Sequence, residues 1–136
     1  MSDYVGVNAK DKLVSVKVGD VTTAIEYQDA PDYDPKSEKS RKNFNNGALT
    51  YDNNELPTLT LKVGVTRPHR PGFTTLLDLA KTGATCEVIY ADKNPLGEKI
   101  TGSATVSAGK ESEEDGGLVR EFMFLFTSEP VTTETA

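Results

Sequence analysis

The strongest constraint on this chain lies near its end, where residues 118–126 read Leu-Val-Arg-Glu-Phe-Met-Phe-Leu-Phe. A β-strand turns successive side chains to opposite faces. One set here is Leu118, Phe122, Phe124 and Phe126, and the other is Val119, Met123 and Leu125, so the C-terminal half of such a strand is apolar on both sides. One side can fill a core, but the other needs a helix or a second subunit over it. The strand therefore points to assembly ahead of catalysis. Alternation alone leaves open which of Phe124 and Leu125 faces the core.

A chain of 136 residues suits one domain spanning 1–136 and buries a core without metals or disulfides. The single cysteine, Cys86, sits in an apolar strand pattern and reads as a small hydrophobe in place of a thiol nucleophile. The opening Met-Ser-Asp-Tyr-Val-Gly has no basic stretch followed by an apolar run, and no segment approaches membrane-spanning length. The expectation is a soluble protein made in the cytoplasm, with a flexible start. A net charge of −6 and a pI near 4.8 argue against gripping nucleic acid, because phosphate contacts need clustered Lys and Arg.

Most of the pattern is β. Val14, Val16 and Val18 alternate with polar residues, Gly19-Asp20 supplies a two-residue turn, and Val21, Thr23, Ile25 and Tyr27 alternate again. From 28 to 47 the text becomes Asp, Pro, Ser, Lys and Asn, with Pro31 and Pro35 fixing extended geometry. This predicts a long loop, and the interior anchors Tyr33 and Phe44 suit an arm that orders against a partner. A short strand at 48–51 and a turn at 52–55 lead into Leu59, Leu61, Val63 and Val65, with Thr58, Thr60 and Lys62 facing the other way. Residues 66–72, with Pro68 and Pro71, carry the chain across the fold. A short helix then follows, capped by Thr74 or Thr75 and ended by Gly83, with Phe73, Leu76, Leu77, Leu79 and Ala80 as its apolar face. Strands are predicted at 85–90 and 99–108 around a turn at 92–97. Ile100, Ala104, Val106 and Ala108 form one face of the second strand, and Thr101, Ser103, Thr105 and Ser107 form an uncharged hydroxyl stripe on the other. From about 130 the Thr-rich tail is expected to be loose.

Chemistry-bearing patterns are sparse. His69, the only histidine, lies in Arg-Pro-His-Arg-Pro, where flanking cations disfavour its imidazolium and no nucleophile elbow accompanies it. Asp29, Asp32 and Asp34 lack the spaced ligands, central glycine and terminal glutamate of a calcium loop and read as solvated turn acids. Glu111, Glu113, Glu114 and Asp115 read as an exposed turn that keeps the adjoining apolar strands soluble. No catalytic set, cofactor or metal is expected.

The 14–27 hairpin, the polar stretch 28–47, the 58–65 strand, the Thr-Thr-Leu-Leu-Asp-Leu helix and the closing strands ending in Glu-Phe-Met-Phe-Leu-Phe together resemble a small bacteriophage tail tube protein over nearly the whole chain. The resemblance rests on element order, length and texture. It implies an antiparallel, barrel-like β-sandwich of two packed sheets with one short flanking helix. It also implies a structural virion protein, not an enzyme, whose hexameric rings stack into a hollow tube through which DNA passes. In that family the long loop commonly reaches a neighbouring ring, and the inner sheets join around the lumen. On this reading Tyr33, Phe44, Phe124 and Leu125 are the self-assembly candidates, and Thr101, Ser103, Thr105 and Ser107 are candidates to face the lumen. The partners are further copies of the chain, tape-measure, tail-terminator and baseplate or tail-tip proteins, and a sheath if the tail contracts. Two alternatives stand beside it. One is the tube of a contractile injection or secretion system. The other is a small β-sandwich binding module, which would cluster its aromatics, whereas Tyr4, Tyr27, Tyr33, Tyr51 and Tyr90 are scattered.

Overall fold

The computed structural model describes residues 4–52 and 55–136; residues 1–3, in the predicted flexible start, and 53–54, in the predicted turn at 52–55, lie outside the described residues. A 3-10 turn, Ala9–Asp11, delivers the chain into β1 (Lys12–Val18), which pairs with β2 (Val21–Ala24). Val18 lies opposite Val21, so the connection is the expected two-residue turn, and Gly19 supplies its positive φ of 61°. Next come β3 (Gln28–Asp34), β4 (Lys39–Phe44), β5 (Gly47–Asp52) and β6 (Thr58–Gly64). The helix α1 (Pro71–Thr82) separates these from β7 (Cys86–Asp92), β8 (Glu98–Glu114), β9 (Gly117–Phe126) and β10 (Val131–Glu134). The fold is mainly β, antiparallel and sandwich-like with one helix, as expected.

The main sheet runs β2-β1-β7-β8-β9-β6-β3, with β10 on the same edge of β8 that β9 leaves. The ends of this order meet, since β3 contacts β1, so the two layers are halves of one curled sheet. The seam is closed by a side chain. The Gln28 amide accepts from Val14 N–H at 2.8 Å and donates to the Val14 and Ile25 carbonyls at 2.9 and 2.8 Å. β2 reaches only as far as Ser15, so the Gln28 carboxamide takes the place of a missing ladder rung at Val14.

The core follows the alternation. Val14 and Val16, Leu59, Leu61 and Val63, and Phe122, Phe124 and Phe126 all point inward and are buried. Phe73, Leu76 and Leu79 of α1 complete the same cluster, with the Phe73 ring edge-on to Phe122 at 5.6 Å. Cys86 is buried there as predicted, and loss of solvation pushes its thiol up to about 11.

Several boundaries differ from the sequence reading. Residues 28–47 are not one loop: Gln28–Asp34 is a strand on β6, and only from Pro35 does the chain leave the body, as a hairpin with β5. The strand was hidden because Asp32 and Asp34 are exposed and Pro31 falls at a bulge between Asp29 and Asp32, which breaks the period. The three aspartates are therefore strand residues, not turn acids. Residues 66–72 do not all cross the fold, because the helix starts at Pro71 without a threonine cap. Proline suits that first position, where its missing N–H has no partner to lose. Arg70 grips Glu26 through Nε at 3.1 Å and Nη2 at 2.8 and 2.6 Å and pins the helix start to the corner after β2. Gly83 ends the helix at φ 74° with its N–H on Leu79 O.

The acids 111, 113 and 114 lie on β8, not in a turn; the turn itself is Asp115-Gly116. Glu114 Oε2 accepts from Lys62 Nζ at 2.7 Å, and Glu111 lies 3.6 Å from Arg120. The tail is also ordered. β10 pairs with residues 98–101 of β8, whose backbone groups lose their neighbour where β9 ends, and Thr135 N–H bonds Gly97 O at 2.7 Å.

Candidate self-assembly surfaces

Strand β9 resolves the question left by its sequence. Phe124 is 0% exposed between Leu59 of β6 and Val106 of β8, whereas Leu125 is 41% exposed between Thr58 and Thr105. Phe124 is thus a core residue and drops out as an assembly contact. Tyr33 drops out as an arm anchor too. Its ring packs at 6.1 Å from both Tyr90 and Phe126, and burial, followed by the nearby charges of Glu129 and Glu98, raises its phenol above the usual value. The bulge on β3 turns Tyr33 to the core side, which composition could not show.

Leu125 and Met123 form an exposed apolar pair on the outer face of the sheet. Their register partners are Thr58 and Thr60 on β6 and Thr105 and Ser107 on β8. The hydroxyl stripe is therefore part of the same surface. Thr101, Ser103 and Thr105 are half-buried and Ser107 is exposed, with Ile89 and Glu87 of β7 alongside Thr101 and Ser103. The sequence reading gave the stripe and Leu125 to separate roles, whereas the ladder makes them neighbours. The result is a broad, weakly polar surface with two apolar side chains at its centre and no cation within the stripe.

The second surface is the β4–β5 ribbon. Residues paired across an antiparallel ladder share a face. Tyr51, Leu49 and Phe44 fall on one face with Lys42 between them, while Arg41, Thr50 and Asn43 fall on the other. All three apolar side chains are exposed, and Lys42 Nζ sits 5.3 Å from the Phe44 ring centroid. The sequence singled out Phe44 but not Leu49 or Tyr51, although their alternation with Ala48 and Thr50 was the available signal. A two-stranded ribbon with one apolar face is marginal in water and is stabilised by whatever covers that face.

Elsewhere the chemistry is limited. His69 is exposed with its ring 4.7 Å from Phe73, and among the described residues it has no hydrogen-bond or ion-pair partner. The Lys36 N–H donates to Asp34, which holds that carboxyl below its usual range, and Lys36 Nζ lies 3.4 Å away. Among the described residues no group of three His, Cys, Asp or Glu side chains is arranged to hold a metal ion. Comparison with known proteins finds no matching family and no matching curated protein.

Proposed function

We propose that this chain is the repeating subunit of a hollow tube of the phage-tail type, with six copies to a ring and rings stacked so that DNA passes through the lumen. The observation that carries the reading is the pair of unpartnered apolar surfaces on one small fold: Leu125 with Met123 on the sheet, and Phe44, Leu49 and Tyr51 on a ribbon that leaves the body. A monomer gains nothing from either surface, and a polymer needs two kinds of contact, one around the ring and one along the axis. The net charge of −6 suits a conduit that lets a polyanion pass without adhesion. On this reading the protein resides in the virion tail and meets tape-measure, terminator and baseplate or tail-tip proteins at the ends of the tube.

Negative-stain electron microscopy of the purified chain over rising concentration tests the proposal. Rings or tubes with a central channel are the expected image, with the amides of β4 and β5 exchanging slowly only in the assembled state. A chain that stays monomeric at millimolar concentration, or a ribbon whose exchange is the same in both states, overturns it.

A further inference from the structure

Two further features lack partners, and they fit each other. Residues Tyr4-Val5-Gly6-Val7 are outside any helix or strand, yet Tyr4 is 96% and Val5 84% exposed and Val7 is exposed as well. A run of valines and tyrosine favours a strand, and among the described residues this one pairs with no strand of its own chain. At the other end of β1, β2 is the terminal strand of the main sheet. In a two-residue hairpin the pairs Val18–Val21 and Val16–Thr23 exchange the ladder bonds, which leaves the N–H and C=O groups of Thr22 and Ala24 pointing away from β1. Beside this edge lies a groove of about 450 Å³ walled by Val18, Val21 and Thr23 on one side and Asp78, Leu79 and Thr82 on the other.

We infer that Tyr4–Val7 of one copy adds as a strand to the β2 edge of a second copy, with Val5 and Val7 directed into the groove beside α1. Donor and acceptor are each four residues long, and because Gly72 of α1 already sits against the Ala24 carbonyl, the added strand pairs with the outward groups of Thr22. In an extended strand Val5 and Val7 share a face, and Gly6 between them leaves the opposite side unobstructed. Charge is complementary: Lys10 follows the donor, Asp78 lines the groove, and neither has an ion-pair partner in its own chain among the described residues. A chain's own segment is held away from its own β2. The turn Ala9–Asp11 is fixed by Lys10 N–H on Asn8 Oδ1 at 3.0 Å and by Asn94 Nδ2 on Asp11 Oδ2 at 3.0 Å, which keeps residues 4–7 beside the β7–β8 connection. Because donor and acceptor are different surfaces, the contact is head-to-tail and propagates until it closes into a ring or continues as a filament.

The inference rests on self-association but on no particular tube geometry, and complementary variants separate the two. Val5→Asp with Val7→Asp destroys the donor at exposed positions; Thr22→Pro removes an outward N–H of the acceptor; Val21→Lys is a second acceptor variant at an exposed site. In sedimentation velocity each should weaken self-association by about tenfold or more. An equimolar mixture of the donor and acceptor variants retains one intact contact and should recover a dimer with the Thr22 amide protected in the Val5→Asp/Val7→Asp chain. Variants that assemble like the wild type, a mixture that stays monomeric, or Thr22 protection in a chain that remains a monomer each overturn the inference while leaving the assembly reading in place. A wild-type chain that never associates overturns both.

Discussion

Adjacent residues on β9 should respond to substitution in opposite ways. Phe124 has no solvent contact and lies between Leu59 and Val106 in the centre of the core. Truncation to alanine removes a buried ring and leaves a cavity, which costs about 3–5 kcal/mol, a large part of the roughly 5–15 kcal/mol that holds a domain folded. At this chain length that loss lowers the melting temperature by roughly 10–18 °C. Leu125→Asp changes a side chain that is 41% exposed, with Thr58 and Thr105 as its ladder partners, and should alter stability by only about 0.5 kcal/mol. Its effect belongs to association, where a carboxylate buried against a neighbour lacks a counter-charge. Urea denaturation followed by sedimentation velocity separates the outcomes: Phe124→Ala shifts the unfolding midpoint, and Leu125→Asp keeps the midpoint and loses the oligomer. Equal loss of stability in the two variants, or a Leu125→Asp chain that assembles like the wild type, would refute the assignment of faces.

Gln28→Ala should cost about 2–3 kcal/mol, because it removes three hydrogen bonds and leaves Val14 N–H without its partner; Gln28→Glu should be worse at neutral pH, where a carboxylate meets the Val14 and Ile25 carbonyls, and partly recover in acid, as urea midpoints would show. The Cys86 thiol is raised from 9.0 to about 11, so the fold favours its neutral form: that contribution is whole below pH 9 and is lost as pH rises from 9 to 11. A shift of that size is on the order of 2 kcal/mol, and Cys86→Ala should flatten the alkaline fall in stability, leaving the part due to Tyr33 and Tyr90, whose phenols are also raised by burial. Lysine at Thr101 and Thr105 should leave the fold intact and, if the stripe lines the channel, add DNA affinity that declines with salt in filter-binding assays; tubes that form normally without added affinity would move the stripe off the lumen.

Alternation of apolar residues along one chain was enough to determine β1, β6, β9 and the apolar face of α1, because period-2 and period-3.6 patterns are local consequences of backbone geometry. The same local logic placed Cys86 in the core and made β9 apolar on both sides. It could not decide which side of β9 is inside, since that depends on which face the neighbouring strands and the helix cover. It missed β3 and β10, whose polar side chains carry no burial signal and whose strand conformation comes from backbone groups that β6 and β8 leave to be paired. Only the curled sheet brings Gln28 onto Val14, joins Leu125 to the Thr/Ser stripe, leaves Phe44, Leu49 and Tyr51 of the β4–β5 ribbon exposed, and puts β2 at the sheet's edge. Those are relations between strands distant in sequence, and side-chain period within one strand does not encode them.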